Sequence, residues 1–314
     1  MYDILALGEL LIDFTPAGKN EHGYPIFAQN PGGAPANLLT VASKMGLKTA
    51  MIGKVGEDAF GAFLKGVLGE QKIDTSGLVM DKACDTTLAF VHLGDEGDRS
   101  FSFYRKTGAD KFLSESDIDL SLIDNTKIFH FGTLSLTDEP ARSATKCALK
   151  YAREKGKIIS FDPNWRAPLW DSADSFLEQS RESLPYCDIV KMSEEELALF
   201  TKTKDIASGA EILLNEYKNI AVLCVTMGKD GCCVCERVNH THVPIYDAGK
   251  AIDTTGAGDC FFGAFLFKVL ETGKPIGEIS IDELKKCAEF ASKVAGISTT
   301  RHGGIPSIPS IDEV

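Results

Sequence analysis

Ala251-Ile252-Asp253-Thr254-Thr255-Gly256-Ala257-Gly258-Asp259 runs directly into Cys260-Phe261-Phe262-Gly263-Ala264-Phe265-Leu266. The second segment is apolar and bounded by small residues, so it reads as a buried helix. The first reads as the turn that feeds it. Two glycines around an alanine let the backbone fold tightly and expose its N–H groups. At the positive end of a helix, such a turn is a ready place for a phosphate. Asp259 falls in the same place. It fits an N-cap, where a carboxylate accepts backbone N–H bonds. It also fits a general base beside an anion hole, taking a proton from a hydroxyl while phosphate charge is stabilised. The turn alone favours the cap.

Outward from this stretch the chain has the grammar of a parallel α/β sheet. Ile4 to Gly8 is a continuous apolar run of the buried-strand kind, and the segment that follows ends on Asp13. Asn30-Pro31-Gly32-Gly33-Ala34-Pro35-Ala36-Asn37 reads as a close-approach glycine turn into a helix, with Asn37 in its first turn. Strand and helix alternate again over Lys48–Val55 and Asp58–Gly69. The order breaks at two hairpins. One spans Pro16 to Gln29; the other pairs Thr86–Leu93 with Arg99–Arg105 across Gly94 to Asp98. Both are expected in a small separate sheet. Phe101, Phe103 and Arg105 alternate onto one of its faces. Further on, Lys157–Phe161 is a strand ending in Asp162-Pro163-Asn164-Trp165-Arg166, and ligands of doubly wound sheets bind at such carboxyl ends. Ser193 to Glu196 reads first as the cap of the next helix; one of its glutamates could instead hold Mg²⁺ through water.

Composition narrows the function. The chain has 314 residues, 44% hydrophobic, enough for a large core, with no apolar run of bilayer-spanning length. Lys plus Arg is 33 and Asp plus Glu is 45, a net charge of −12, which argues against nucleic-acid or anionic-membrane partners. The nine cysteines show no framework spacing, and the first residues lack a basic n-region, so a cytoplasmic location with reduced thiols is expected. There is no Gly-x4-Gly-Lys-Ser/Thr, and Gly256-x-Gly258-x4-Gly263 misses the dinucleotide spacing.

Gly32-Gly33-x3-Asn37 near the start and Asp253-Thr254-Thr255-Gly256-Ala257-Gly258-Asp259 near the end resemble the two signatures of the ribokinase-like sugar kinases, the pfkB carbohydrate kinase family. Gly8-Glu9-x3-Asp13 ahead of them, and Asp162-Pro163-Asn164-x-Arg166 and Val225-Thr226-x-Gly228-x2-Gly231 between them, fall in the family's order, so the resemblance covers essentially the whole chain. It implies a single domain over residues 1–314: a three-layer α/β/α sandwich with a mostly parallel central sheet and a small β-sheet lid from about 14–30 and 84–112. It also implies the site. Asp259 would be the catalytic base and Gly256, Ala257 and Gly258 the anion hole. Asp13, Gly32, Gly33, Asn37, Phe101, Arg105, Asn164 and Arg166 would meet the sugar or the transferred phosphate. Ser193, Glu196, Thr226, Gly228 and Gly231 would line ATP, with Glu196 near Mg²⁺; Asp253 and Thr255 match positions for a monovalent cation such as K⁺. One departure is Ser193, which stands where the family often has Asn. The wording is most similar to fructokinases, so the expected reaction is ATP-dependent phosphorylation of fructose. The alternatives are a 2-keto-3-deoxygluconate kinase, whose acid group Arg105 or Arg166 would pair, and a catalytically silent regulatory relative. A homodimer through the lid edges is a further expectation.

Overall fold

A computed structural model describes residues 1–93, 99–237 and 239–314, with the side chains of residues 93 and 99–101 also outside the description. The strands are β1 (Tyr2–Leu7), β2 (Leu11–Lys19), β3 (Pro25–Gly32), β4 (Thr49–Gly56), β5 (Ile73–Asp81), β6 (Leu88–Leu93), β7 (Arg99–Tyr104), β8 (Thr126–Gly132), β9 (Ile158–Asp162), β10 (Ile189–Ser193), β11 (Val222–Thr226), β12 (Cys232–Cys235) and β13 (His240–Val243). The helices are α1 (Ala34–Lys44), α2 (Ala59–Glu70), α3 (Leu120–Asp124), α4 (Ala141–Glu154), α5 (Ala173–Ser183), α6 (Glu194–Thr201), α7 (Ile206–Glu216), α8 (Ala257–Glu271) and α9 (Ile281–Ser298).

Among the described residues the main sheet has nine strands in the order β13-β12-β11-β10-β9-β8-β1-β4-β5. It is parallel from β11 to β5, with β12 and β13 antiparallel at one edge. The buried run Ile4–Leu7 suits β1 to the interior of the sheet, between β8 and β4, where a strand covered on both faces must be apolar throughout. Alternation along the strands sorts the two layers. Ile128, Ile189, Val222 and Cys224 pack with α1, α2, α8 and α9. Phe129, Phe161, Val190 and Leu223 pack with α3 to α7. From β1 the chain runs to β4 and β5 on one side and later returns to β8 on the other. That is the switch point at which the loops beyond the carboxyl ends part and leave a crevice.

The second sheet is β3-β2-β6-β7, the expected small sheet. Its first hairpin is longer than the sequence implied: β2 starts at Leu11 and β3 ends at Gly32, although Pro16 and Gly18 interrupt the pattern. Pro16 is tolerated because β2 pairs with β6 only over Ile12–Phe14, so Pro16 pairs with β3 alone. The turn expected at Gly94 to Asp98 lies outside the described residues. No helix among the described residues is long and apolar enough to cross a membrane.

Candidate active site

The site is built where α1 and α8 meet. Helix α8 is buried almost all round, and a Cβ on its Gly263 would run into the Leu38 carbonyl and Val41 of α1 at 2.7 and 2.9 Å. That glycine lets the two helix backbones close together. One turn earlier on α8 is Asp259; next to Leu38 is Asn37. The close approach therefore brings Asn37 Nδ2 to donate to Asp259 Oδ2 at 2.8 Å, in the buried interior. Asn37 Oδ1 is buried with no hydrogen-bond partner.

The structure removes one reading of Asp259. Helix α8 starts at Ala257, its N-cap is Gly256 in a left-handed conformation (φ 73°), and no side chain caps it. Asp259 thus sits inside the first turn, not at the cap. By contrast, Asp58, Ser172, Ser193, Asp205 and Ser280 each close a helix start with a side-chain bond. Burial, with Asp162 beside it, pushes the Asp259 carboxyl up to about 6, against the Asn37 bond and the Lys191 and Arg166 charges.

Asp259 opens onto a cavity of about 320 Å³ at the carboxyl end of β1. Asp13, Gly33, Asn37, Asn164, Arg166, Thr255 and Gly256 line it. Asn164 is held in the left-handed region (φ 50°), which Asn tolerates better than most residues. Glu9, Leu11, Ala34, Phe103, Leu134 and Thr254 line it too and were not singled out. Phe103 had a signal, its place two residues from Phe101 on the same face. Glu9 is explained by its bond: Oε1 accepts from Ala34 N at 2.9 Å, tying the end of β1 to the start of α1. Two more carboxyls here are held high by burial, Glu9 and Asp13, both at about 7; Arg166 pulls Asp13 down, Asp259 and Asp253 push it up.

Other expected residues are placed elsewhere. Arg105 does not line the cavity: it is buried, with Nε on Asp110 at 2.7 Å, Nη1 on Thr137 Oγ1 and Nη2 on the Leu134 carbonyl, both at 2.8 Å. It ties the end of the small sheet to the loop after β8. Phe101 pairs through its backbone with Val91, and its side chain lies outside the described residues. Gly32 stands behind Asp13, where any Cβ would collide with that carboxylate. Asp253 accepts from Thr255 N at 2.9 Å and Gly303 N at 3.0 Å, which fixes the loop ahead of α8.

Ser193, Thr226, Gly228 and Gly231 gather at the ends of β10 and β11, outside the cavity lining but at the same end of the sheet. Ser193 and Glu196 form a reciprocal cap: Ser193 N donates to Glu196 Oε2 at 2.7 Å, and Glu196 N to Ser193 Oγ at 3.2 Å. The other Glu196 oxygen accepts from Trp165 N at 2.6 Å. Both its carboxylate oxygens are thus engaged by backbone, and among the described residues no group of three or more His, Cys, Asp or Glu could hold a metal ion. Ser193→Ala is expected to cost about 1 kcal/mol of stability, the usual loss of a cap, read as the urea midpoint. A matching fall in ATP affinity would give Ser193 a ligand role as well.

Sequence reasoning passed over Lys191. It lies in the apolar run of β10, 6% exposed, and donates to Asp162 at 3.0 and 3.3 Å. A lysine amid Ile, Val and Met in a central strand is itself a signal, since such a strand has no solvent edge for the ammonium.

Comparison with known proteins meets this geometry. A fructokinase-2 from Solanum lycopersicum is 38% identical over 312 residues, 99% of this chain and 94% of its own. A double mutant of the Vibrio cholerae O395 fructokinase, in its fructose-, ADP- and potassium-bound form, superposes with a TM-score of 0.87 at 28% identity, covering 100% of this chain and 97% of that one. The ATP-bound fructokinase of Xylella fastidiosa does so with a TM-score of 0.87 at 30% identity, covering 99% and 96%. The model of the pfkB family carbohydrate kinases matches residues 1–311, and with a buried aspartate in an uncapped glycine turn against a cavity under a small sheet, the chain belongs to that family.

Proposed function

We propose that this chain is an ATP-dependent fructokinase that makes fructose 6-phosphate. The observation that carries the reading is the meeting of Asp259, Asn37 and the uncapped start of α8 on the wall of one cavity, in a chain whose relatives are fructokinases. The cavity takes a sugar. Asp13, Asn37 and Asn164 offer acceptors and donors to its hydroxyls, and the lid strands β2 and β7 cover it through Asp13 and Phe103. Covering matters because water would otherwise compete as the phosphoryl acceptor.

Asp259 orients the attacking hydroxyl and accepts its proton late, since phosphoryl transfer needs placement and charge neutralisation more than a strong base. The amides of the Gly256–Gly258 turn face the charge that develops on the transferred group. Thr226, Gly228 and Gly231 line the nucleotide at the β11 end of the crevice. Asp253 and Thr255 offer carboxylate and hydroxyl oxygens, the donor type that a monovalent cation such as K⁺ takes. Mg²⁺ fits less well as a protein-held ion, because Glu196 is committed to its cap; it would enter with the nucleotide.

A keto-acid substrate is not favoured. The relatives are fructokinases, and of the two arginines that could pair with its carboxylate Arg105 is committed to Asp110, Thr137 and Leu134, which leaves Arg166 on the cavity wall. The test is ADP release with ATP, Mg²⁺ and K⁺ against fructose, 2-keto-3-deoxygluconate, ribose, glucose and adenosine. Fructose is expected to give the highest kcat/KM. A higher value for any other acceptor overturns the substrate, and silence with all of them overturns the activity.

A further inference from the structure

Lys191 has no structural need to be where it is. The strands β9 and β10 are already joined by their ladder, with Ile189 opposite Ser160 and Val190 opposite Phe161. That register sets Lys191 beside Asp162, both buried, on the face that carries α8. Burying an ion pair seldom stabilises a fold on balance, because desolvation offsets the attraction. Burial alone would strip the proton from this amine, yet Asp162, Glu196 and Asp259 together hold its pKa above the ordinary lysine value, so it stays charged. An ammonium has three donors, and Asp162 is its acceptor among the described residues. With both Asp162 oxygens engaged one donor is left, and the ammonium lies against the first turn of α8: a Cβ added at Gly258 would stand 3.1 Å from Nζ.

We propose that Lys191 is a catalytic residue whose ammonium binds the phosphoryl group in flight at the Gly256–Gly258 turn, and that Asp162 is the positioning residue that holds it there. The proposal rests on the kinase reading above. A bond forms between the sugar oxygen and the γ-phosphorus. The bond from that phosphorus to its bridging oxygen breaks, and the electron pair leaves with ADP. The sugar proton goes to Asp259. Lys191 keeps its protons throughout and supplies charge and hydrogen bonds to oxygens that gain charge in the transition state. Glycine at 258 leaves the ammonium a clear path to them.

The test is the double variant Lys191→Met with Asp162→Asn, which removes both charges so that neither is left buried alone. Its kcat with fructose is expected to fall about 100-fold or more, the loss typical of one oxyanion donor. By calorimetry its affinity for ATP should fall about tenfold relative to ADP, as for one lost charge-assisted contact, with fructose binding unchanged. The ATP-to-ADP affinity ratio decides the matter: a folded double variant that keeps the wild-type ratio overturns the proposal. This readout needs no sugar chemistry. If the wild type phosphorylated none of the sugars but the ratio still fell, the substrate reading would fail and the Lys191 assignment would stand. Should the double variant not fold, Asp162→Asn alone is read the same way, with a smaller fall in the ratio expected and an unchanged ratio again overturning the assignment.

Discussion

Asp259→Asn is expected to lower kcat for fructose by about 1,000-fold while fructose affinity stays within about threefold, the range of a lost general base. The amide keeps the shape of the carboxylate and an oxygen that can still accept from Asn37 Nδ2, so the α1–α8 junction is retained. What it loses is the lone pair that takes the hydroxyl proton and the charge that orients it. Folding should not suffer, because the carboxylate is already disfavoured by burial, which holds its pKa near 6. Stopped-flow ADP release and calorimetric fructose titration on the same preparation separate the two effects. Turnover within tenfold of wild type would falsify the assignment of Asp259 as the base and leave it as a hydrogen-bond partner of Asn37.

Much of this site was legible because its residues sit in segments of strong local character. The apolar Ile4–Leu7 run, the Gly256–Gly258 turn and the apolar Cys260–Leu266 run of α8 each admit few structures, and Asp58 announced the helix it caps. What was hidden depends on distant partners. Strand β5 was missed because Asp74 to Gly77 reads as a loop; it persists as the edge strand beside β4, where one side needs no partner. Strand β13 is short and polar for the same reason, lying at the opposite edge. Arg105 looked like a ligand for an acid group because Asp110, Thr137 and Leu134 converge on it only in three dimensions. Lys191 finds Asp162 29 positions away, which only the strand register predicts. The glutamate of the Ser193 cap, by contrast, followed directly from spacing three residues apart.

Activity and stability are expected to respond to pH in opposite directions. Asp259 must be ionised to accept a proton, and burial places its pKa at about 6. So kcat/KM with fructose should be flat above that value and fall about tenfold per unit below it, since this ratio reports the free enzyme. Glu9 works the other way. Burial raises it from 4.5 to about 7, helped by the Asp110 charge and opposed by its own N–H, that of Ala34 and the Arg105 charge. Between those values the folded chain holds a proton that the unfolded chain has already released. Stability is therefore highest below about pH 4.5 as far as Glu9 is concerned, declines as pH rises through the window, and the loss is complete above 7, by roughly 3 kcal/mol. Glu9→Gln removes the titration and keeps an oxygen to accept from Ala34 N. Urea unfolding at pH 5 and pH 8 tests this directly. The variant should gain on the wild type at pH 8 by about that amount and by much less at pH 5. Equal gains at the two pH values would mean that Glu9 is ionised throughout, with its charge compensated inside the cavity. The two trends meet near neutrality, where Asp259 is ready to accept a proton and Glu9 is half-ionised. A bound sugar that donates a hydroxyl to the Glu9 carboxylate would then stabilise its charged form, so fructose should raise the urea midpoint more at pH 8 than at pH 6.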